Sequence, residues 1–319
     1  MKMFTQRVAT LSGHLFAALL WSGSVAAQGP GFQVDFDQVE IRTTHVAGQV
    51  YMLAGAGGNI GVFAGTDGVF LVDDQFAPLT DRIRAAIAAI SAQPIRFLIN
   101  THFHEDHTGG NENLGEAGTL IIAHDNVRKT LSVPHFIEMI HTRFPAVEPD
   151  ALPVITFSET LTFHLDDEEV YVLHTPPSHT DGDSIVYFRG SDVIHMGDIF
   201  RSRGYPIFDR RNGGSYEGLI EASDVVLGLA GEKTKIIPGH GVVSSRADLR
   251  EVRNILATVR DKIAAAIAAG KSLEQTIAEK PTADFDENWS RRRLTPDEVV
   301  EWIYAELSSK VDTENQRRN

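Results

Sequence analysis

The feature that most constrains this 319-residue chain is the segment Asn100-Thr101-His102-Phe103-His104-Glu105-Asp106-His107, which opens on the last residue of the apolar run IRFLIN. Extended backbone sends alternate side chains to one side, so His102 and His104 share a face. Asp106 and His107 follow where Gly109-Gly110 lets the chain turn. Three imidazoles and a carboxylate so close together are borderline ligands suited to zinc. One loop cannot close two metal sites, so further ligands are expected from other strand ends. The candidates are His179 in Pro176-Pro177-Ser178-His179-Thr180-Asp181-Gly182-Asp183, Asp198 at the end of DVIHMGD, and His240 in Pro238-Gly239-His240-Gly241. Glycine and proline around each fix turns that present a side chain at a rim. His45, His164 and His174 are expected as ordinary strand residues and His124, His135 and His141 on polar segments. His195, three before Asp198, is a candidate neighbour of the ligands.

Cysteine is absent, which excludes disulfides, zinc ribbons, Fe–S clusters and thiol nucleophiles. The formal charge of −14 disfavours nucleic acid and anionic lipid as partners, since both recruit Lys and Arg. Lys2 and Arg7, the apolar run LFAALLW and then Val25-Ala26-Ala27 have the pattern of a signal peptide over residues 1–27. Its removal would leave 27 cations against 43 acids, a charge of −16. The mature chain is thus expected in the periplasm or secreted, free of membrane, with a small-molecule substrate.

Short runs rich in Val, Ile, Phe and Tyr over 39–74 predict strands. Thr80 is the expected N-cap of a helix carrying Ile83, Ala86, Ile87 and Ile90, ended by Pro94. IRFLIN and TLIIA are strands, and residues 125–153 read as polar, proline-punctuated and partly helical. ITF, LTFHL, VYVLH, SIVYF, DVIHMGD and TKIIPG predict further strands, interrupted by a helix at 216–229. An amphipathic helix is expected at 246–269 with Gly270 beyond its end. Capping boxes at Ser272…Gln275 and Thr295…Glu298 start two more, so residues 270–319 are expected as a helical extension that packs on the outer surface or forms a dimer contact. GTDGVFLVDD resembles GSDVIHMGD, each a strand ending in aspartate, as two similar halves packed face to face would have. The expectation is an α/β protein in which residues 28–319 form a single domain, an αββα sandwich of two central mixed sheets with helices on the outer faces.

HxHxDH followed by His179, Asp198 and His240, in that order and spacing, resembles the metallo-β-lactamase superfamily over residues 39–250. The resemblance implies two zinc ions per chain in a cleft at the sheet edge. It assigns His102, His104 and His179 to the first and Asp106, His107 and His240 to the second, with Asp198 bridging. Asp73 corresponds to a buried aspartate that orients the ligand loop. A zinc held by three histidines keeps an open position, where bound water falls to a pKa near ~7 and can attack an acyl carbon. Asp106 would orient that nucleophile and carry its proton.

SHTDGDSIVYF and NTHFHEDHTGGN resemble segments of the true zinc β-lactamases. Arg201 stands three residues after Asp198, where many of those enzymes place a lysine for the substrate carboxylate, and Asn212 could serve as their carbonyl-binding asparagine. Other features differ. Asp198 stands where the best-known β-lactamases of that subclass carry cysteine, as in hydroxyacylglutathione hydrolases and lactonases. The turn at 55–58, which would cover a substrate, is short and glycine-rich. Redox relatives usually replace the second loop histidine by glutamate, and His104 is histidine. The sequence therefore points to a β-lactam hydrolase, with a thioesterase or lactonase and a non-catalytic periplasmic metal-binding protein as alternatives.

Overall fold

GVFLV and IRFLIN carry apolar residues at successive positions, which suits strands buried on both faces. In the computed structural model, which describes residues 34–205, 207–289 and 294–318, both runs lie inside a seven-stranded sheet. Residues 1–27, expected as a signal segment, lie outside the described residues. β1 (Arg42–Ala47), β2 (Val50–Ala54), β3 (Ile60–Gly65) and β4 (Gly68–Val72) are antiparallel; β5 (Ile95–Asn100) and β6 (Leu120–His124) continue the sheet in parallel with β4. A separate hairpin, β7 (His135–Ile137) and β8 (Thr142–Phe144), precedes β9 (Ile155–Phe157), which pairs in parallel with β6. The second sheet runs β10 (Thr160–Leu165), β11 (Glu168–His174), β12 (Ser184–Phe188), β13 (Val193–His195), β14 (Lys235–Ile237) and β15 (Ser244–Ser245). Its β13 and β14 are parallel and its other neighbours antiparallel.

The first half of the chain supplies helices α1 (Thr80–Ala88), α2 (Glu105–Thr108), α3 (Asn111–Glu116) and α4 (Asp125–Leu131). The second supplies α5 (Tyr216–Leu229), α6 (Arg246–Ala268), α7 (Leu273–Ala278), α8 (Asp286–Trp289) and α9 (Pro296–Arg318). Strand alternation sorts the core into layers. Phe70 and Val72 of β4 meet Val186 and Phe188 of β12 between the sheets, whereas Val69 and Leu71 face Ile83 and Ile87 of α1. On the far side, Ile185, Ile194 and Ile236 pack against α5, α6 and α9. This is the expected αββα sandwich of two mixed sheets.

Local departures have local causes. Thr80 is the first helical residue rather than the N-cap, because a 3₁₀ turn, Ala77–Leu79, runs into α1 and the Thr80 hydroxyl donates to Ala77 O. That helix ends at Ala88, well before Pro94. Residues 125–153 hold α4 and then the β7–β8 hairpin, whose Ile137 is buried against Phe103 and Leu131. Gly270 adopts φ +72° beyond α6, and the Ser272 and Thr295 capping boxes form.

The helices after Gly270 do more than coat a finished surface. Val299, Val300, Ile303 and Leu307 of α9 enter the core beside α5 and α6. Glu306 accepts from Ser215 Oγ at 2.8 Å and Tyr216 N at 2.7 Å, satisfying the start of α5. Trp302 packs edge-on to Phe208 at 5.9 Å, and Trp289 likewise to Tyr205 at 5.5 Å. Ile303→Ala should therefore cost about 2–5 kcal/mol in urea unfolding, as for other fully buried aliphatic truncations. A loss below about 0.5 kcal/mol, the usual surface value, would show that α9 is dispensable to the core.

Candidate metal centre

Candidate ligands gather where strands end. Thr101 and His102 follow β5, Asp198 follows β13 and His240 follows β14, so both sheets feed one crevice at the carboxyl ends of parallel strands. Three sets of side chains have potential donor atoms within 4.8 Å of one another: His102, His104 and His179; His102, His107 and Asp198; and Asp106, His107 and His240. All seven residues expected as ligands are thus brought together.

In the first group the outer nitrogens decide what the inner ones are. His179 Nδ1 donates to Ile207 O at 2.7 Å and His104 Nε2 to Asp209 Oδ2 at 3.1 Å. In neutral rings this leaves lone pairs on His179 Nε2 and His104 Nδ1, which face each other at 2.9 Å. Thr101 Oγ1 donates to Asp73 Oδ2 and lies 3.0 Å from His102 Nδ1, from which it can accept. His102 Nε2 is then a buried lone pair without a protein partner. Converging imidazole lone pairs repel one another unless a cation lies among them, so these residues fit a metal. Burial, reinforced by neighbouring imidazoles, lowers the pKa of both His102 and His179, which keeps them in the ligating form.

The second group is richer in charge. His107 Nδ1 donates to Asp73 Oδ2 at 2.7 Å, turning Nε2 toward Asp198 Oδ1 at 3.2 Å. His240 Nε2 lies 3.2 Å from the same oxygen and 3.3 Å from Asp106 Oδ2. Asp198 Oδ2 lies 3.8 Å from His179 Nε2, so this carboxylate stands between the groups. Burial lowers the His107 pKa, but Asp198, Asp73 and Asp106 outweigh it and raise the net value. His240 is raised as well: burial opposes, Asp198 prevails. Asp198 itself is held well below the usual carboxylate range, because His240 and His107 overcome its desolvation.

Backbone shape makes these approaches possible. A Cβ on Gly58 would sit 2.2 Å from the His107 ring, and one on Gly239 2.1 Å from Asp198 Oδ1. Asp73 and Gln75 adopt φ of +63° and +60°. The turn they make sets Asp73 beneath His107 and lets Gln75 Nε2 donate to Gly58 O at 2.6 Å. His195 contacts no ligand side chain by hydrogen bond; its Nε2 donates to Asn59 O at 3.0 Å, tying the two sheets.

Arg201 lines the cavity over the ligands, and its Nε is buried without a hydrogen-bond partner. Asn212 does not line that cavity. Its Nδ2 donates to Phe136 O at 3.0 Å and to Asp209 Oδ2 at 2.6 Å, which occupies both amide hydrogens and turns it away from a carbonyl-binding role. Asp209, which sequence reasoning passed over, is 5% exposed and holds His104. A carboxylate three before an asparagine in a Gly-rich turn was the available signal, and a weak one. The wall is also not limited to the turn at 55–58: Ile137, Met139, Ile140 and Phe144 of the β7–β8 hairpin form much of it.

Two outcomes follow from this geometry. Asp209→Ala should weaken metal binding about 10–100-fold, read by competition with a chelator, while Asp209→Asn restores part of it; unchanged affinity would remove Asp209 from the site. Acidification should empty the Asp106, His107 and His240 group first. Its histidines have raised pKa values, so protons compete there at a pH where the lowered His102 and His179 remain neutral. Metal content measured against pH should fall in two steps, and a single concerted loss would contradict this order.

The family model described as the metallo-beta-lactamase superfamily matches residues 54–240. The hydroxyacylglutathione hydrolase of Pelagibacter ubique (strain HTCC1062) is 27% identical over 148 residues, 46% of this chain and 52% of that protein. The chain spans about half the length of the curated relatives it matches. Among solved structures, a stereoselective inverting sec-alkylsulfatase from Pseudomonas sp. superposes with a TM-score of 0.64 at 16% identity, covering 83% of this chain and 50% of that one. A metallo-beta-lactamase from Pontibacter korlensis gives 0.57 at 16% identity, covering 68% and 99%. At such identities the structures speak for the fold. The family match, spanning more than half of the residues, adds descent: this chain belongs to the metallo-beta-lactamase superfamily.

Proposed function

We propose that the protein is an exported, zinc-dependent hydrolase of small acyl compounds, with β-lactams as the favoured substrates. The observation that carries this is the joining of two donor groups at Asp198 beneath a cavity where Arg201 keeps an unpaired, buried Nε. Zinc held by His102, His104 and His179, and by Asp106, His107 and His240 with Asp198 between, would supply Lewis acidity and make water acidic enough to ionise near neutral pH.

The chain's own groups do the rest. Arg201 offers its guanidinium to a substrate anion at the His240 end, where its backbone bridges to His240. Asp106 faces the cavity, and His107 and His240 hold its carboxyl below the usual range despite burial, so it stands there as the ionised carboxylate that orients a nucleophile. The apolar hairpin wall excludes water from the reacting carbonyl. Among the described residues no helix is long and apolar enough to cross a membrane, which is compatible with release after signal cleavage.

A second acyl class is favoured by two observations. The residue between the donor groups is an aspartate, Asp198, and a curated relative is named hydroxyacylglutathione hydrolase, so thioesters and lactones stand next to β-lactams.

The test is initial rates of the chain from Gln28, loaded with zinc, on a chromogenic cephalosporin, a thioester and a lactone, with and without chelator. A chelator-sensitive kcat/KM above about 10⁴ M⁻¹s⁻¹ on the cephalosporin is expected, inside the ordinary enzyme range. That rate on the thioester or lactone alone would move the assignment to the second class. No chelator-sensitive turnover of any of the three by metal-replete protein would overturn the hydrolase proposal.

A further inference from the structure

The hairpin at residues 135–144 is built to be firm yet leaves apolar surface facing the ligands. Ile137, Ile140 and Phe144 pack on the cluster of Phe103, Val127 and Leu131, and the same residues with Met139 line the cavity. His141 turns the hairpin with φ +48°. The Arg210–Asn212 turn clamps the hairpin from the other half of the molecule. Asn212 Nδ2 donates to Phe136 O at 3.0 Å, the Arg211 guanidinium lies 5.2 Å over the Phe136 ring, and Arg210 Nη2 is 3.7 Å from Glu138 Oε2. The His135 ring meets Phe103 edge-on at 5.3 Å, and Phe103 meets His104 at 4.6 Å. The hairpin therefore stands at the end of the centre formed by His102, His104 and His179.

The opposite end carries Arg201, paired through its backbone with His240. The cavity is thus polarised along the line of the two donor groups, apolar side chains at one end and a buried guanidinium nitrogen at the other. Convergent apolar side chains around a few fixed polar groups are how small-molecule sites read shape. Met139 adds a side chain that adapts to irregular partners.

We propose that the 135–144 hairpin is the subsite for an alkyl or aryl portion of the substrate, so that the preferred substrates are small acyl compounds with an apolar group at one end and an anion at the other. This rests on the cavity being the substrate site of the hydrolase proposed above. The hairpin then discriminates by burying methylenes, and the Arg210–Asn212 clamp keeps its wall in place.

The test reads binding apart from turnover. Isothermal titration of the zinc-loaded chain with straight-chain alkanoates from acetate to octanoate should show affinity rising about fourfold per methylene over the first several carbons. Met139→Ser and Ile140→Ser, made separately, should each flatten that slope to about twofold per methylene while metal content and acetate affinity stay at the wild-type level. A flat series in the wild type, or wild-type slopes in both variants, overturns the subsite. Because the wild-type series needs no variant, a substitution that fails to fold leaves the proposal testable. Chain-length-dependent binding without hydrolysis of any acyl substrate supports the subsite and overturns the hydrolase; turnover with a flat series does the reverse.

Discussion

The contact on which the rest of the centre depends is the buried carboxylate of Asp73. One oxygen accepts from Thr101 N at 2.7 Å; the other accepts from Thr101 Oγ1 at 2.8 Å and lies 2.7 Å from His107 Nδ1. Those bonds join the end of β4 to the loop after β5 and decide which nitrogen of His107 faces inward. Through Thr101 they also orient His102. A side chain that touches none of the expected metal positions thus sets ligands in both groups. The backbone of Asp73 is left-handed, a conformation that aspartate tolerates better than most residues. Burying an acceptor this deeply is sustainable because each of its oxygens is met by a donor.

Neither sheet supplies the centre alone. β4 and β13 both run into an aspartate, Asp73 in one sheet and Asp198 in the other. The first orients histidines and the second lies among them. Across the gap, Asn59 Nδ2 donates to Pro238 O at 2.8 Å and to Gly241 O at 3.1 Å, fixing the His240 loop from the first sheet. The apolar contact of Phe63, Phe70 and Phe188 behind the centre holds the sheets at one spacing. Ligand geometry is in this sense a consequence of core packing, since the core's interlocked side chains resist a shift of one sheet over the other.

What could be read from the chain followed from residues whose chemistry and spacing coincide. HxHxDH after an apolar strand, histidine or aspartate at three further strand ends, and Asp73 after FLV all stand where local sequence fixes backbone and side chain together. The αββα layering was legible from unbroken apolar strands bracketed by amphipathic helices. Asp209 was not, because its role comes from meeting His104 across 105 positions and its own neighbours are ordinary turn residues. The orientation of Asn212 was not legible for the same reason: an asparagine before two glycines can face a cavity or a backbone carbonyl, and only the position of Phe136 decides. The 125–153 segment hid its strands because β7 and β8 have three residues each, too few to show a period.

Those two regions form one device. Asp209 and Asn212 lie on a single turn and share a hydrogen bond at 2.6 Å; one holds His104 and the other holds the hairpin that forms the apolar wall. A displacement of the hairpin would pull on Asn212, and through Asp209 on the imidazole of His104. The same turn bears Arg210 over the Trp302 ring at 5.4 Å, so α9 stands directly behind it. The C-terminal helix, the wall and one ligand are therefore connected by contacts of a few ångströms, although they are far apart in sequence. The Asp, Arg and Asn side chains of this turn are thus each committed to a contact, with His104, with Trp302 and Glu138, and with the hairpin backbone.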